Sequence, residues 1–188
     1  MSILQNRLRS GSRSGAVAAL AAALLLPAPA GAGVQSVVIP VSGMTCALCT
    51  RGVEESIRRL DGVGGVTADL ATGLVKIEAA EGKSLNVQQV KERIAHAGFS
   101  AAGECTLMAL GRFALGPQGR ITFRVSGTNA SYQVLEGNQL RRLFKEYRGV
   151  KGEFILGFRV HDHPSWKPPA ISIISFAAAP AASLSAAR

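Results

Sequence analysis

Cys46 and Cys49 lie two residues apart in the run Gly43-Met44-Thr45-Cys46-Ala47-Leu48-Cys49. Two thiolates at that spacing can converge on one ion, and their softness suits Cu(I) or Hg(II), with Zn(II) accepted less selectively. A structural zinc site takes four protein donors, and this loop offers two. An ion held by two sulfurs in a surface loop is open to attack by thiolates of another molecule, which favours transfer over storage. Two other uses of the same pair compete with this one. C-x-x-C at a strand–helix junction also serves thiol–disulfide redox chemistry, and the pair could be a plain structural disulfide or packed thiols. No Trp precedes Cys46, and a hairpin signal follows where a crossover helix would be needed, so metal is the leading reading.

The chain offers little other chemistry. Cys105, the third cysteine, reads as a packed small hydrophobe ahead of a third soft donor or an oxidation-prone thiol. His161 and His163 alternate on a strand end and so share a side, where they could hold a harder second ion such as Zn(II) or Cu(II). A solvent-facing loop pair is the competing reading. There is no Ser/His/acid set, no motif of paired carboxylates and no phosphate loop, and the expectation is a protein that is not an enzyme.

The elements that must position the cysteines follow from periodicity. Val37, Val38, Ile39 and Val41 form a strand ending at Ser42-Gly43. After the cysteines, Val53, Ile57 and Leu60 share one helical face, with Glu54, Glu55, Arg58 and Arg59 outward. Cys49 falls in the first turn of that helix, where unpaired N–H groups and the dipole favour thiolate. Asp61-Gly62 closes the helix. Val66–Leu70 and Leu74–Glu78 are strands joined at Ala71-Thr72-Gly73. Asn86 caps a second helix with Gln89 three residues on, Val87, Val90 and Ile94 line its buried face, and Gly98 ends it. Phe99–Ala102 is a weak fourth strand. The order βαββαβ is a ferredoxin-like split unit.

GMTCALC (Gly43–Cys49), the amphipathic helix, DGVGGVTADLATGLVKIE and the late Ala97-Gly98-Phe99 together resemble the heavy-metal-associated domain family. That family includes copper chaperones, the N-terminal domains of copper-transporting ATPases and the periplasmic mercury-binding protein of mercury-resistance systems. The resemblance covers residues 35–102. It implies Cu(I) or Hg(II) on Cys46 and Cys49, and a metal-transporting membrane protein or another metal-binding domain as partner. It also implies an inward-pointing Met44 that anchors the loop without coordinating, and a Phe99 that faces the metal. Core packing is the competing reading of Phe99. Thr45 and Thr50 can hydrogen-bond near the sulfurs or cap the helix.

Beyond Gly103 the pattern changes, which suggests two modules. Leu107–Leu115, Ile121–Val125, Tyr132–Leu135, Phe154–Val160 and Ile171–Phe176 read as strands. Between the third and fourth lies a helix capped by Asn138, with Leu140, Leu143, Phe144 and Tyr147 as its apolar stripe and Gly149 closing it. The order βββαββ matches a small OB-like barrel over 106–176, followed by a disordered tail at 177–188. The expected fold is therefore α+β, a ferredoxin-like metal-binding domain followed by a β-rich OB-like domain.

Charge and the N-terminus set the context. The whole chain of 188 residues carries a formal +9. Arg7, Arg9 and Arg13 precede the uncharged apolar stretch Gly15–Leu26, which breaks at Pro27 and Pro29 and ends in Ala30-Gly31-Ala32. That is the layout of a cleaved secretory signal over residues 1–32, too short for a membrane span, so the expected location is periplasmic or secreted. Residues 33–102 are neutral, and all remaining excess positive charge lies after Gly103. A basic barrel invites a nucleic-acid reading. Export argues against it; the basic residues also read as a solvated helix face, or as the surface by which an adaptor would bind a membrane or a partner, with metal as its regulator.

Overall fold

The computed structural model describes residues 33–179, apart from 102, 117–118, 148–151, 162 and 164. Residues 1–32, read above as a signal, and residues 180–188 lie outside the described residues. Among the described residues nine strands and three helices follow one another as β1 (Val34–Ser42), α1 (Ala47–Arg58), β2 (Val63–Asp69), β3 (Leu74–Ala79), α2 (Val87–His96), β4 (Ser100–Ala101), β5 (Cys105–Leu115), β6 (Ile121–Val125), β7 (Ser131–Val134), α3 (Asn138–Glu146), β8 (Phe154–His161) and β9 (Ala170–Ala178). Among the described residues no helix is long and apolar enough to cross a membrane.

The first half has the expected βαββαβ order. β1 pairs antiparallel with β3, which pairs with β2, and β4 flanks β1 on its other edge. Val53 and Ile57 of α1 and Val90 and Ile94 of α2 are buried with Val37, Ile39, Val75 and Ile77 of the sheet, as the spacing of apolar residues on both helices requires. The Asn86 side chain caps α2 by accepting the Gln89 N–H at 3.1 Å. Gly98 follows the helix in a left-handed conformation. Strand β1 starts three residues earlier than Val37, and of the expected fourth strand β4 comprises Ser100 and Ala101, Phe99 preceding it and Ala102 lying outside the described residues.

The reason for the short fourth strand is a handover. Ala101 and Ser100 pair with Val41 and Ser42. Gly103 turns the chain at positive φ, and β5 then continues along the same edge of β1, Thr106 opposite Val38 and Ala109 opposite Val34. β5 does not stop where β1 ends. Its residues Gly111–Leu115 pair on that same edge with β6, while its other edge pairs with β8 from Cys105 to Gly111. β6 pairs with β7, β7 with β9 in parallel, and β9 with β8, so β5-β6-β7-β9-β8 closes on itself as a ring. One strand thus belongs to both halves, and the buried apolar residues of both form one cluster from Val34 to Ile171.

Helix α3 packs against β9 of the ring. Leu140 and Leu143 are buried, and Tyr147 just after the helix meets Phe154 of β8 and Phe176 of β9 edge-on. Three sequence expectations change here. Asn138 is the first residue of α3, not its cap: Gly137 holds that position without a side-chain bond, and the Asn138 side-chain Oδ1 accepts from the Arg141 guanidinium. Phe144 leaves the buried stripe and is 39% exposed. β9 runs two residues past Phe176, with Ala177 and Ala178 opposite Ile155 and Phe154, so the start of the supposed tail is strand. Gly149 lies outside the described residues.

Candidate metal centre

The cysteine loop grows from the end of β1. Val41 N–H donates to the Gly73 carbonyl at 2.8 Å, so the β2–β3 hairpin braces the last turn of strand before the loop. At that hairpin Asp69 accepts the Ala71 N–H at 2.8 Å. A side-chain hydrogen bond with Thr72, then the backbone bonds, hold its carboxyl below the usual aspartate value. Gly43 turns at positive φ, where a side chain is strained, and a Cβ there would sit 3.5 Å from the Phe99 ring. Phe99 is thus placed against the start of the loop, partly buried against the core. Met44 points into the core at 8% exposure and anchors the loop from below.

Cys46 is the N-cap of α1. Its backbone is extended, and its sulfur accepts the Cys49 N–H at 3.2 Å. Thr50 Oγ1 donates to the Ala47 carbonyl at 2.9 Å, so it serves the first turn and not the sulfurs. Thr45, Cys46 and Leu48 are exposed and Cys49 is half-buried. The first turn of α1 has no acidic residue, so the positive end of the helix is uncompensated where a thiolate would form. α1 is fixed in turn by Glu54, which accepts from Arg58 of its own helix and from the Ala68 N–H of β2 at 2.8 Å.

Cys46 and Cys49 are joined as a disulfide, with Cα atoms 5.2 Å apart. Reduction opens two donors on one loop. Metal–sulfur bonds of about 2.3 Å place sulfurs up to roughly 4.6 Å apart, within reach of side chains on such a backbone. The chemistry available is therefore soft-ion binding in the reduced form and disulfide closure in the oxidised form. Cys105 is buried at 4% exposure in β5, away from this loop and outside the disulfide.

The two histidines are engaged separately. His161 Nδ1 meets Glu104 Oε1 at 2.5 Å and its Nε2 meets Ser172 Oγ at 2.7 Å. His163 Nδ1 meets Ser165 Oγ at 2.8 Å, and its ring stacks on Trp166 at 5.1 Å. Among the described residues no group of three or more His, Cys, Asp or Glu is arranged to hold a metal ion. The sequence shows no Ser/His/acid set, yet folding assembles one, Glu104–His161–Ser172, from three separate segments. Ser172 lies inside the β8–β9 ladder opposite Arg159. The adjoining cleft is lined by Gly103, Glu104, His161, His163 and Trp166 but not by Ser172. The set ties the connector before β5 to the barrel, and no signal at separations of 57 and 11 residues could have announced it.

Comparison with known proteins places the first half. The heavy-metal-associated domain model matches residues 38–100. A rice (Oryza sativa subsp. japonica) protein, cation-transporting ATPase HMA5, is 42% identical over 62 residues, 33% of this chain and 6% of its own. A copper-exporting P-type ATPase of Staphylococcus aureus is 29% identical over 72 residues, 38% of this chain and 9% of its own. The chain therefore spans less than a tenth of the length of these curated relatives. Among solved structures, oxidized MerP from Ralstonia metallidurans CH34 is 29% identical with a TM-score of 0.34, over 37% of this chain and 94% of its own. Residues 38–100 of this chain are a heavy-metal-associated domain.

Proposed function

We propose that this protein is an exported carrier that captures Cu(I) or Hg(II) on the reduced Cys46–Cys49 pair and hands it to a metal-transporting membrane protein or another metal-binding domain. One observation carries the reading: within a heavy-metal-associated domain, two cysteines share the solvent-facing N-terminus of α1, close enough to meet each other. Met44 and Phe99 supply the packing that holds the loop, and Thr45 stays exposed beside Cys46. The ion is cargo. An incoming thiolate adds to it, a three-coordinate state forms, and one protein sulfur leaves. Exposure of Cys46 permits that approach, and the half-buried Cys49 would be the last to release.

The basic ring of β5 to β9, with α3 between the third and fourth of its strands, is read as an OB-like module, and residues 1–32 as a cleaved signal. Zn(II) is the weaker competitor for the cysteines. In an oxidising compartment the disulfide is the resting form, and metal capture requires its reduction. That disulfide also supports a second reading, a thiol–disulfide redox protein. Two assays on one reduced preparation separate them: transfer of bound Cu(I) or Hg(II) to a competing dithiol, and reduction of insulin disulfides. We expect transfer within seconds and insulin reduction no faster than a small dithiol control. Catalytic insulin reduction with absent metal transfer would move the assignment to the redox class.

A further inference from the structure

Strand β2 ends the sheet: among the described residues it pairs with β3 on one side, and no strand lies along its other side. An open edge presents N–H and C=O groups in a row, a template for a strand of another chain. On an antiparallel strand each residue directs both groups to one side, and residues two apart share that side. The Ala68 N–H points away from β3 and donates to Glu54 Oε1 of α1 at 2.8 Å. The Val66 carbonyl shares that side and accepts from Arg58 Nη2 at 3.0 Å. Glu54 and Arg58, one helical turn apart, meet each other at 3.0 Å. Val53 and Ile57, buried on the inner face of α1, fix the helix that delivers the pair to this edge. At the start of β2 the ladder to β3 shifts register between Val63 and Gly65, an irregularity that bends and twists a strand. There the Val63 N–H donates back to the Leu60 carbonyl.

We propose that the outer edge of β2 is a self-pairing surface for a second copy of this chain, held shut by the Glu54–Arg58 pair of α1. The two side chains engage the groups that such pairing needs. A second copy lying antiparallel along β2, with a two-fold axis at Thr67, sets Val66 of each copy opposite Ala68 of the other. Residues so opposed exchange both backbone bonds, and the Ala68 N–H of each copy then donates to the Val66 carbonyl of the other. Within one chain the Glu54 carboxylate stands in for that carbonyl and the Arg58 guanidinium for that N–H. The two-fold match selects a second copy over an unrelated strand, because one segment supplies both halves of a closed, self-complementary contact. The edge is independent of the cysteine chemistry, and its closure needs neither metal nor disulfide.

Sedimentation of the full chain over a wide concentration range tests this, with reductant and a chelator present so that neither a disulfide nor a shared ion joins two copies. Glu54→Ala and Arg58→Ala together should tighten dimerisation at least about tenfold relative to the unaltered chain, the equivalent of ~1.4 kcal/mol. Amide hydrogen exchange in that dimer should slow at Val66 and Ala68. Glu54→Gln keeps an oxygen for the Ala68 N–H and should leave association unchanged. Adding Ala68→Pro to the double variant removes the N–H that the second copy must use, at an edge position where proline is tolerated, and should undo the gain. Amide dispersion reports whether each variant is folded, and if the double variant is not, Glu54→Ala alone, which frees one of the two groups, is read in the same way. The proposal fails if the folded variant associates no more tightly than the unaltered chain, if the gain survives Ala68→Pro, or if exchange slows elsewhere and not on β2.

Discussion

On the proposed reading each sulfur of the Cys46–Cys49 pair would supply half of a two-donor site, so removing either would leave an ion with one protein ligand. Cys46→Ser and Cys49→Ser should each lower Cu(I) or Hg(II) affinity by more than the ~10–100-fold typical of losing a supporting partner. Cys105→Ala, buried in β5, should leave affinity and a stoichiometry of one ion per chain unchanged. Competition with a chromogenic chelator reads both, and loss of binding in the Cys105 variant alone would relocate the site. A second prediction at this scale concerns Tyr132, whose pKa is raised from 10.0 by burial first and Cys105 second. The folded state holds that proton more tightly than the unfolded state, so the associated stability is complete below about pH 10 and falls as pH rises through the folded value. Tyr132→Phe should flatten that alkaline decline in a denaturant-unfolding series. An equally steep decline would mean another group titrates there. The cysteine pair was legible because its spacing is local. Glu104, His161 and Ser172 were not, because only the tertiary fold brings them together.

Helices α1 and α2 were legible for the same reason: their apolar residues recur at three and four, and Val53, Ile57, Val90 and Ile94 are the ones buried. What the local pattern could not encode is which edge a strand meets. β5 reads as a single apolar strand after a glycine, and nothing in its own residues says that its first half completes the ferredoxin-like sheet while its second half opens the barrel. The same strand explains a demand at Gly111, where pairing on one edge passes from β1 to β6. A Cβ at that position would lie 2.2 Å from the Arg124 carbonyl oxygen and 2.6 Å from the Phe123 ring. Backbone of a paired strand cannot retreat cheaply. Gly111→Ala is therefore expected to cost at least the ~1–3 kcal/mol of ordinary overpacking, seen as a lower denaturant midpoint. A Gly116→Ala control tests the specificity of that strain. Its Cβ meets the Thr122 methyl first, at 2.8 Å, and should be absorbed better. Equal losses for the two would remove the argument from strand handover.

At the scale of the molecule, the shared strand turns a local event at the cysteines into a property of the whole chain. The sequence suggests two modules divided near Gly103. Yet the structure places β5 in both and runs one apolar cluster through them, so separating the halves would strip β1 of a neighbour and leave the barrel ring with a strand to re-pair. Unfolding should therefore be one transition. Metal bound only by the folded reduced state stabilises it by RT ln(1 + [L]/Kd), about 2.7 kcal/mol at a hundredfold excess over Kd. In a cooperative chain that gain reaches residues that never touch the ion. Trp166, the single tryptophan, lies after β8 on the barrel side and packs on His163, so its fluorescence reports the half without the Cys46–Cys49 pair. Thiolate-to-metal absorption reports the other half. On heating the reduced protein with one equivalent of Cu(I) or Hg(II), both signals should change at one temperature, raised together relative to the metal-free protein. Cys46→Ser should abolish the rise in both. A Trp166 transition that ignores the metal while the absorption transition moves would show that β5 does not couple the halves. The barrel would then be a passenger on the metal-binding domain.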